Sequence, residues 1–168
     1  MIDAVQAVVN VAVAHTWVRE TAGANRGEAV NAILARVHLP PGNPWCAAFV
    51  AYVGWAVLRQ HWPLPLVGGC VSLFDAARQR GLVRTVPAPG AVFLLWSDRM
   101  GRFAHTGFLT GLQAEDGYCP TVEGNTSPDG SREGTGVFVR RRAFGPKDRF
   151  IHWWDAPTSQ PRPVAAGD

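Results

Sequence analysis

The chain has 168 residues, 47% of them hydrophobic and only 17% charged, with a formal net charge of +3 at pH 7. That is one domain's worth of sequence with enough apolar material to bury a core, which excludes a disordered or highly charged chain. The positive charge is carried by arginine. Its densest cluster, Arg140 to Arg142, is too short for the basic stripe with interleaved aromatics that a nucleic-acid partner requires, and it reads as a solvated strand end.

In chain order, Asp3 with Gln6 fits a capping box, and Ile2, Val5, Val9, Ala12, Val13 and Trp17 recur at helical spacing. This predicts a first helix ending near Gly23. Asn25 with Glu28 forms a second box ahead of Val30, Ile33, Leu34 and Val37. A third helix is expected from about Asn43, with Asn43 as N-cap and Pro44 at the first helical position. No charge occurs from Pro44 to Leu58, so this helix is apolar all round and should be the buried central one. The same run is shorter than the roughly 20 residues a bilayer requires, so no membrane insertion is expected. Ser72 is placed to cap a fourth short helix that Gly81 stops.

Past Pro89 the pattern changes to short β-branched and aromatic runs: "GAVFLLW", "AHTGFLTGL", "GYCPTVEG", "TGVFVRRR" and "RFIHWW", punctuated by Gly, Asp, Ser and Pro. Helices followed by an antiparallel sheet give an α+β fold, with the N-terminal helices packed on a C-terminal antiparallel β-sheet. Residues 1–156 make one domain. Residues 157–168, with Pro157, Pro161 and Pro163, are expected to form a flexible Pro-rich tail. No signal peptide is visible at the N-terminus, so synthesis as a soluble cytoplasmic protein is expected, with action elsewhere after release or export.

Three cysteines leave at least one free thiol, and no pair has the C-x-x-C spacing of a structural zinc site. No metal and no cofactor is expected. Cys46 falls near the third position of the third helix, where unpaired N–H groups and the positive dipole end favour a thiolate. Its own N–H could also serve an oxyanion hole. A small core residue beside Ala47 and Ala48 is the alternative, and it suits Cys70 and Cys119 better. Among five histidines, His105 differs by opening a strand just after the polar loop "SDRMGR", with Gly107 next on its face and room beside the ring. A structural histidine is the alternative. In "TVEGNTSPDG", either Glu123 or Asn125 could reach the imidazole and fix its tautomer, or the segment is a turn.

"NPWCAAFV", "AHTGF" and "VEGNT", in that order, resemble the CHAP family of papain-like cysteine amidohydrolases and peptidases. "ANRGEAVNAILARVHLPPGNPWC" and "EGNTSPDGSREGTGVFVRRR" resemble bacterial and phage cell-wall hydrolases of this kind. The resemblance covers about Glu20 to Trp154. It implies a papain-like fold and a catalytic set of Cys46 as nucleophile, His105 as base, Glu123 as orienter and Asn125 as an assisting residue. Trp45 and Gly107 fall to substrate binding. It further implies peptidoglycan as substrate, cut at an amide bond by a muramoyl–alanine amidase or endopeptidase. The loops from Ser97 to Arg102 and from Thr126 to Gly134 would wall the cleft. Some relatives bind calcium through acidic residues ahead of the cysteine; "VHLPPGNPW" has none. A secreted antibacterial effector with the same chemistry, or a catalytically silent wall-binding or phage structural module, stands as the alternative. The partners expected are peptidoglycan and, for an effector, an immunity or delivery protein. The chain itself is expected to be a monomer.

Overall fold

The computed structural model describes residues 2–129 and 134–157, with Ile2 and Asp3 described by backbone alone. The helices are α1 (Ile2–Ala14), α2 (Glu28–Ala35), α3 (Cys46–Leu58) and α4 (Cys70–Gln79). The strands are β1 (Val83–Arg84), β2 (Val92–Ser97), β3 (Arg102–Leu109), β4 (Cys119–Thr126), β5 (Gly136–Arg142) and β6 (Arg149–Ile151). The strands form one antiparallel sheet in the order β1-β6-β2-β3-β4-β5. The fold is therefore α+β, as the change of period at Pro89 predicts.

Alternation along the strands distributes two clusters. Val92 and Leu94 of β2, Phe108, Val122, Val137 and Ile151 join the main core with all four helices, whereas Phe93, Leu109, Cys119 and Phe150 form a smaller cluster with Ala91. α3 is the centre of the helical layer. It touches α1, α2 and α4 as well as β3 and β4, and its face-independent apolarity is what this position requires.

Several boundaries differ from the sequence expectation. α1 stops at Ala14, well before Gly23. Val18 is fully buried and Arg19 pairs with Gly136 at the edge of β5, so a sheet contact overrides the helical period, and Trp17 is left 67% exposed. The capping role of Asp3 falls on a side chain outside the described residues. The cap of α2 is Gly27, not Asn25. Asn25 instead adopts a left-handed conformation, and its N–H donates to Glu20 Oε2 at 2.8 Å. α3 begins at Cys46 with Trp45 as the cap, and Asn43 donates to the Pro40 carbonyl instead. α4 is capped by Gly69, which leaves Ser72 inside the first turn. Its stop at Gly81 is as expected: the Gly81 and Leu82 N–H groups donate to the Arg78 and Ala77 carbonyls, a Schellman closure. β1 has only two residues and carries no periodic signal. The Trp-rich end of "RFIHWW" turns into a short 3-10 helix at Trp153–Asp155. The tail at 158–168 and residues 130–133 of the Thr126–Gly134 loop lie outside the described residues.

Among the described residues no helix is long and apolar enough to cross a membrane.

Candidate active site

The site begins with the placement of Cys46 as the first residue of α3, not the third. The chain before it is held from two sides. Trp45 is fully buried, and its indole N–H donates to Glu20 Oε1 at 3.0 Å. From β4, with the Asn125 amide oriented so that both its atoms are satisfied, its oxygen accepts from the Trp45 backbone N–H at 3.1 Å and its nitrogen donates to Asn25 Oδ1 at 3.1 Å and the Gly134 carbonyl at 3.2 Å.

The "EGN" triplet explains itself in this geometry. Register in the β4–β5 pair slips between Glu123 and Thr126, a bulge in which Asn125 takes φ +56°. Gly124 lies against α3: a Cβ there would sit 2.7 Å from Phe49 and 2.9 Å from Trp45. Only glycine lets the strand approach the helix this closely. Glu123 precedes the bulge and shares a face with Cys119 and Thr121.

Glu123 is fully buried and fully partnered. Its Oε2 bonds His105 Nε2 at 2.8 Å, and its Oε1 accepts from Thr121 Oγ1 at 2.7 Å. Arg142 binds both oxygens, Nε to Oε1 at 2.7 Å and Nη2 to Oε2 at 2.5 Å. Burial alone would raise this carboxyl, but the Arg142 and His105 bonds and charges bring it down to about 2. Arg142 is thus part of the site and not a solvated strand end. Strand alternation carries the signal: Arg142 lies opposite Cys119, on the face that also bears Glu123.

His105 lies inside β3, not at its start, and is fully buried. The space beside its ring is occupied. A Cβ on Gly107 would meet the Val122 carbonyl at 2.6 Å and both Glu123 Cγ and Phe93 at 3.0 Å, so Gly107 gives clearance to the carboxylate. With Nε2 committed to Glu123, Nδ1 has no hydrogen-bond partner. Burial by itself would depress the imidazole. The nearness of the Cys46 sulfur and the bond to Glu123, together with both negative charges, lift it to about 9.

Cys46 is 6% exposed, and its Sγ lies 3.8 Å from that of Cys70. Its thiol is held well below the ordinary value. The hydrogen bond from Cys70 is the largest cause. Burial opposes it, and the nearness and charge of His105 and the Ala47 N–H add to it. Cys70 moves the opposite way, pushed well up by its bond to Cys46, by burial and by the neighbouring negative charge. Distance alone lets either sulfur donate. His105 and the Ala47 N–H both act on Cys46, so Cys46 carries the anion.

The structure therefore brings Cys46, His105 and Glu123 into one buried row and adds Arg142, Thr121 and Cys70, which sequence reasoning did not include. Asn125 does not bond the imidazole. It fixes the backbone ahead of Cys46. Trp45 and Gly107 lie inside the core, where they support the helix start and the carboxylate. A cavity of about 450 Å³ lies apart from the row, lined by His15, Trp17, Arg19, Glu28 and Tyr52 among others. Among the described residues no group of three His, Cys, Asp or Glu side chains is placed to hold a metal ion.

No family model matches the chain. No curated protein matches it in sequence. In structure it is similar to Ly7917, with a TM-score of 0.51 and 12% identity over 92% of this chain and 62% of that one. It is also similar to the N-acetylmuramoyl-L-alanine amidase from Staphylococcus aureus, with a TM-score of 0.44 and 15% identity over 68% of this chain and 32% of that one. The chain thus spans less than two thirds of the length of either. At these identities the likeness to Ly7917 is one of fold.

Proposed function

We propose that this chain is a papain-like thiol hydrolase of the CHAP kind that cleaves an amide bond in peptidoglycan. The observation that carries the chemistry is the buried row of Cys46, His105 and Glu123, with the carboxylate on one ring nitrogen and the other nitrogen free. The choice of substrate rests on the resemblance of "NPWCAAFV", "AHTGF" and "VEGNT" to wall hydrolases.

In this reading the Cys46 thiolate attacks the carbonyl carbon of a peptide stem. The oxyanion is stabilised by N–H groups at the start of α3. His105, already an imidazolium, gives its Nδ1 proton to the leaving amine as the C–N bond breaks. The neutral ring then takes a proton from water, whose oxygen attacks the thioester and returns Cys46 as the thiolate. Glu123 holds the ring through Nε2 and balances its charge throughout. Action at the wall follows release or export of the chain.

The test is release of soluble fragments from purified peptidoglycan, with mass spectrometry of the muropeptides to name the bond. Cys46→Ala abolishes release. His105→Ala is nearly as damaging, since it removes both the base and the leaving-group acid. Each variant is first shown to be folded by near-ultraviolet circular dichroism. Full activity in Cys46→Ala overturns the reading.

A further inference from the structure

Cys70 has no part in the mechanism above, yet it is the first residue of α4, as Cys46 is of α3. The two helix starts therefore bring two sulfurs together at 3.8 Å. Cys70 is 8% exposed, and Cys119, the third cysteine, belongs to the smaller cluster on the sheet. We infer that Cys70 is a catalytic residue of this site: a thiol that keeps its proton and donates it as a hydrogen bond to the Cys46 sulfur, stabilising the resting nucleophile as an anion.

The inference rests on the reading of Cys46 as the nucleophile. An anion on a cysteine that is only 6% exposed needs donors in place of solvent, because an uncompensated buried charge is costly. The Ala47 N–H and His105 supply part of this, and Cys70 is the neighbour with a proton to give and no anionic role of its own. The charged groups that face the pair from the sheet are His105 and Arg102, both on β3. Arg102 favours an anion at Cys70, but burial and the adjacent Cys46 charge outweigh it. Glu123 and Arg142 act on the pair only through His105.

A donor to the anion has two opposed effects. It keeps the thiolate populated at lower pH, and it lowers that thiolate's intrinsic nucleophilicity, with a Brønsted slope of about 0.4–0.5. Once Cys46 is acylated the charge is gone and the Cys70 bond weakens. Cys70 therefore favours the free thiolate and assists its departure when water attacks the thioester.

The experiment measures the rate of Cys46 alkylation by iodoacetamide against pH, under reducing conditions, with each cysteine quantified by peptide mass spectrometry. The proteins are the wild type, Cys70→Ala, Cys70→Val, Cys70→Ser and, as a control, Cys119→Ser. Valine keeps the volume without a donor, and serine keeps a donor. In Cys70→Ala and Cys70→Val the midpoint of the profile moves up by about one pH unit. Alkylation is then about threefold slower on the acid limb, where an about tenfold smaller thiolate fraction meets an about threefold more reactive thiolate, and about threefold faster on the alkaline plateau. Cys70→Ser stays closer to wild type, and Cys119→Ser is unchanged. If Ala fails to fold, Val against Ser carries the test. An unmoved midpoint in Ala or Val overturns the inference, as does an equal shift in Ser. No wall substrate is used. A wild type that fails to solubilise peptidoglycan, with the crossing profiles intact, therefore sinks the proposed function and leaves the role of Cys70 standing.

Discussion

Glu123 and Asn125 stand two residues apart on β4 and do different work, which their substitutions separate. Glu123→Gln keeps an acceptor for His105 Nε2 but removes the charge that helps lift the ring to about 9. Hydrolysis falls on the order of 10–10⁴-fold, the spread seen for orienting residues in triad enzymes. The alkaline limb of its pH profile, near 9 in the wild type because the leaving amine requires the imidazolium, moves toward lower pH. Asn125→Ala leaves that limb where it is, since Asn125 does not touch the ring. It costs about 1–3 kcal/mol of stability by stranding the Trp45 N–H and the Gly134 carbonyl. Kinetic pH profiles and denaturant midpoints on the two variants distinguish the roles. Equal displacement of the limb in both would return Asn125 to the orienting position.

At the scale of elements, the approach of β4 to α3 sets where Cys46 stands relative to Glu123 and, through it, His105. Gly124→Ala places a methyl group 2.7 Å from the Cβ and Cγ of Phe49 and 2.9 Å from the Trp45 ring, side-chain atoms of buried residues. We expect a loss of about 1–3 kcal/mol and a drop in hydrolysis beyond what the fall in folded fraction explains. Activity corrected for folded fraction at wild-type level would show that the strand–helix spacing is not critical. The same contact marks what could be read in the sequence. The apolar α3 and the five strand runs after Pro89 were legible, because each follows from local period, whereas residue chemistry singled out Cys46 and His105 as candidates, left Glu123 and Asn125 open as the ring's partner, and only the resemblance joined them into a set. The early end of α1 was not, since the bridge from Arg19 to Gly136 joins residues that three helices and four strands separate in sequence. Cys70 was hidden because its partner is set by the meeting of two helix starts. Arg142 was half visible: strand alternation gives its face, but the neighbour on that face follows only from the β4–β5 register.

For the whole molecule, the buried charges impose a pH window. Glu123 is lowered from 4.5 to about 2, so its contribution to stability is full above 4.5 and is lost as pH falls through about 2. His105 is raised from 6.5 to about 9, so its contribution is full below 6.5 and is lost as pH rises through about 9. Cys46, held well below its ordinary value, gains stability across the same range. The two opposed slopes nearly cancel in the wild type, and in Cys46→Ser denaturant midpoints decline from about neutrality towards pH 9 as the His105 loss is uncovered. An identical slope in the variant and the wild type would show that the two do not offset each other. The strand order has a different consequence, one that concerns synthesis. β6 lies between β1 and β2, and Trp153 just beyond it donates to the Gly90 carbonyl at 2.9 Å. When the ribosome has passed Arg142, every group of the row exists, yet β2 still presents an open edge at Val92–Leu94 and β1 has no neighbour. The nascent chain at that stage holds its chemistry in an unfinished sheet. The row is therefore complete in sequence before the sheet that carries it, and its final arrangement awaits the insertion of β6 between β1 and β2.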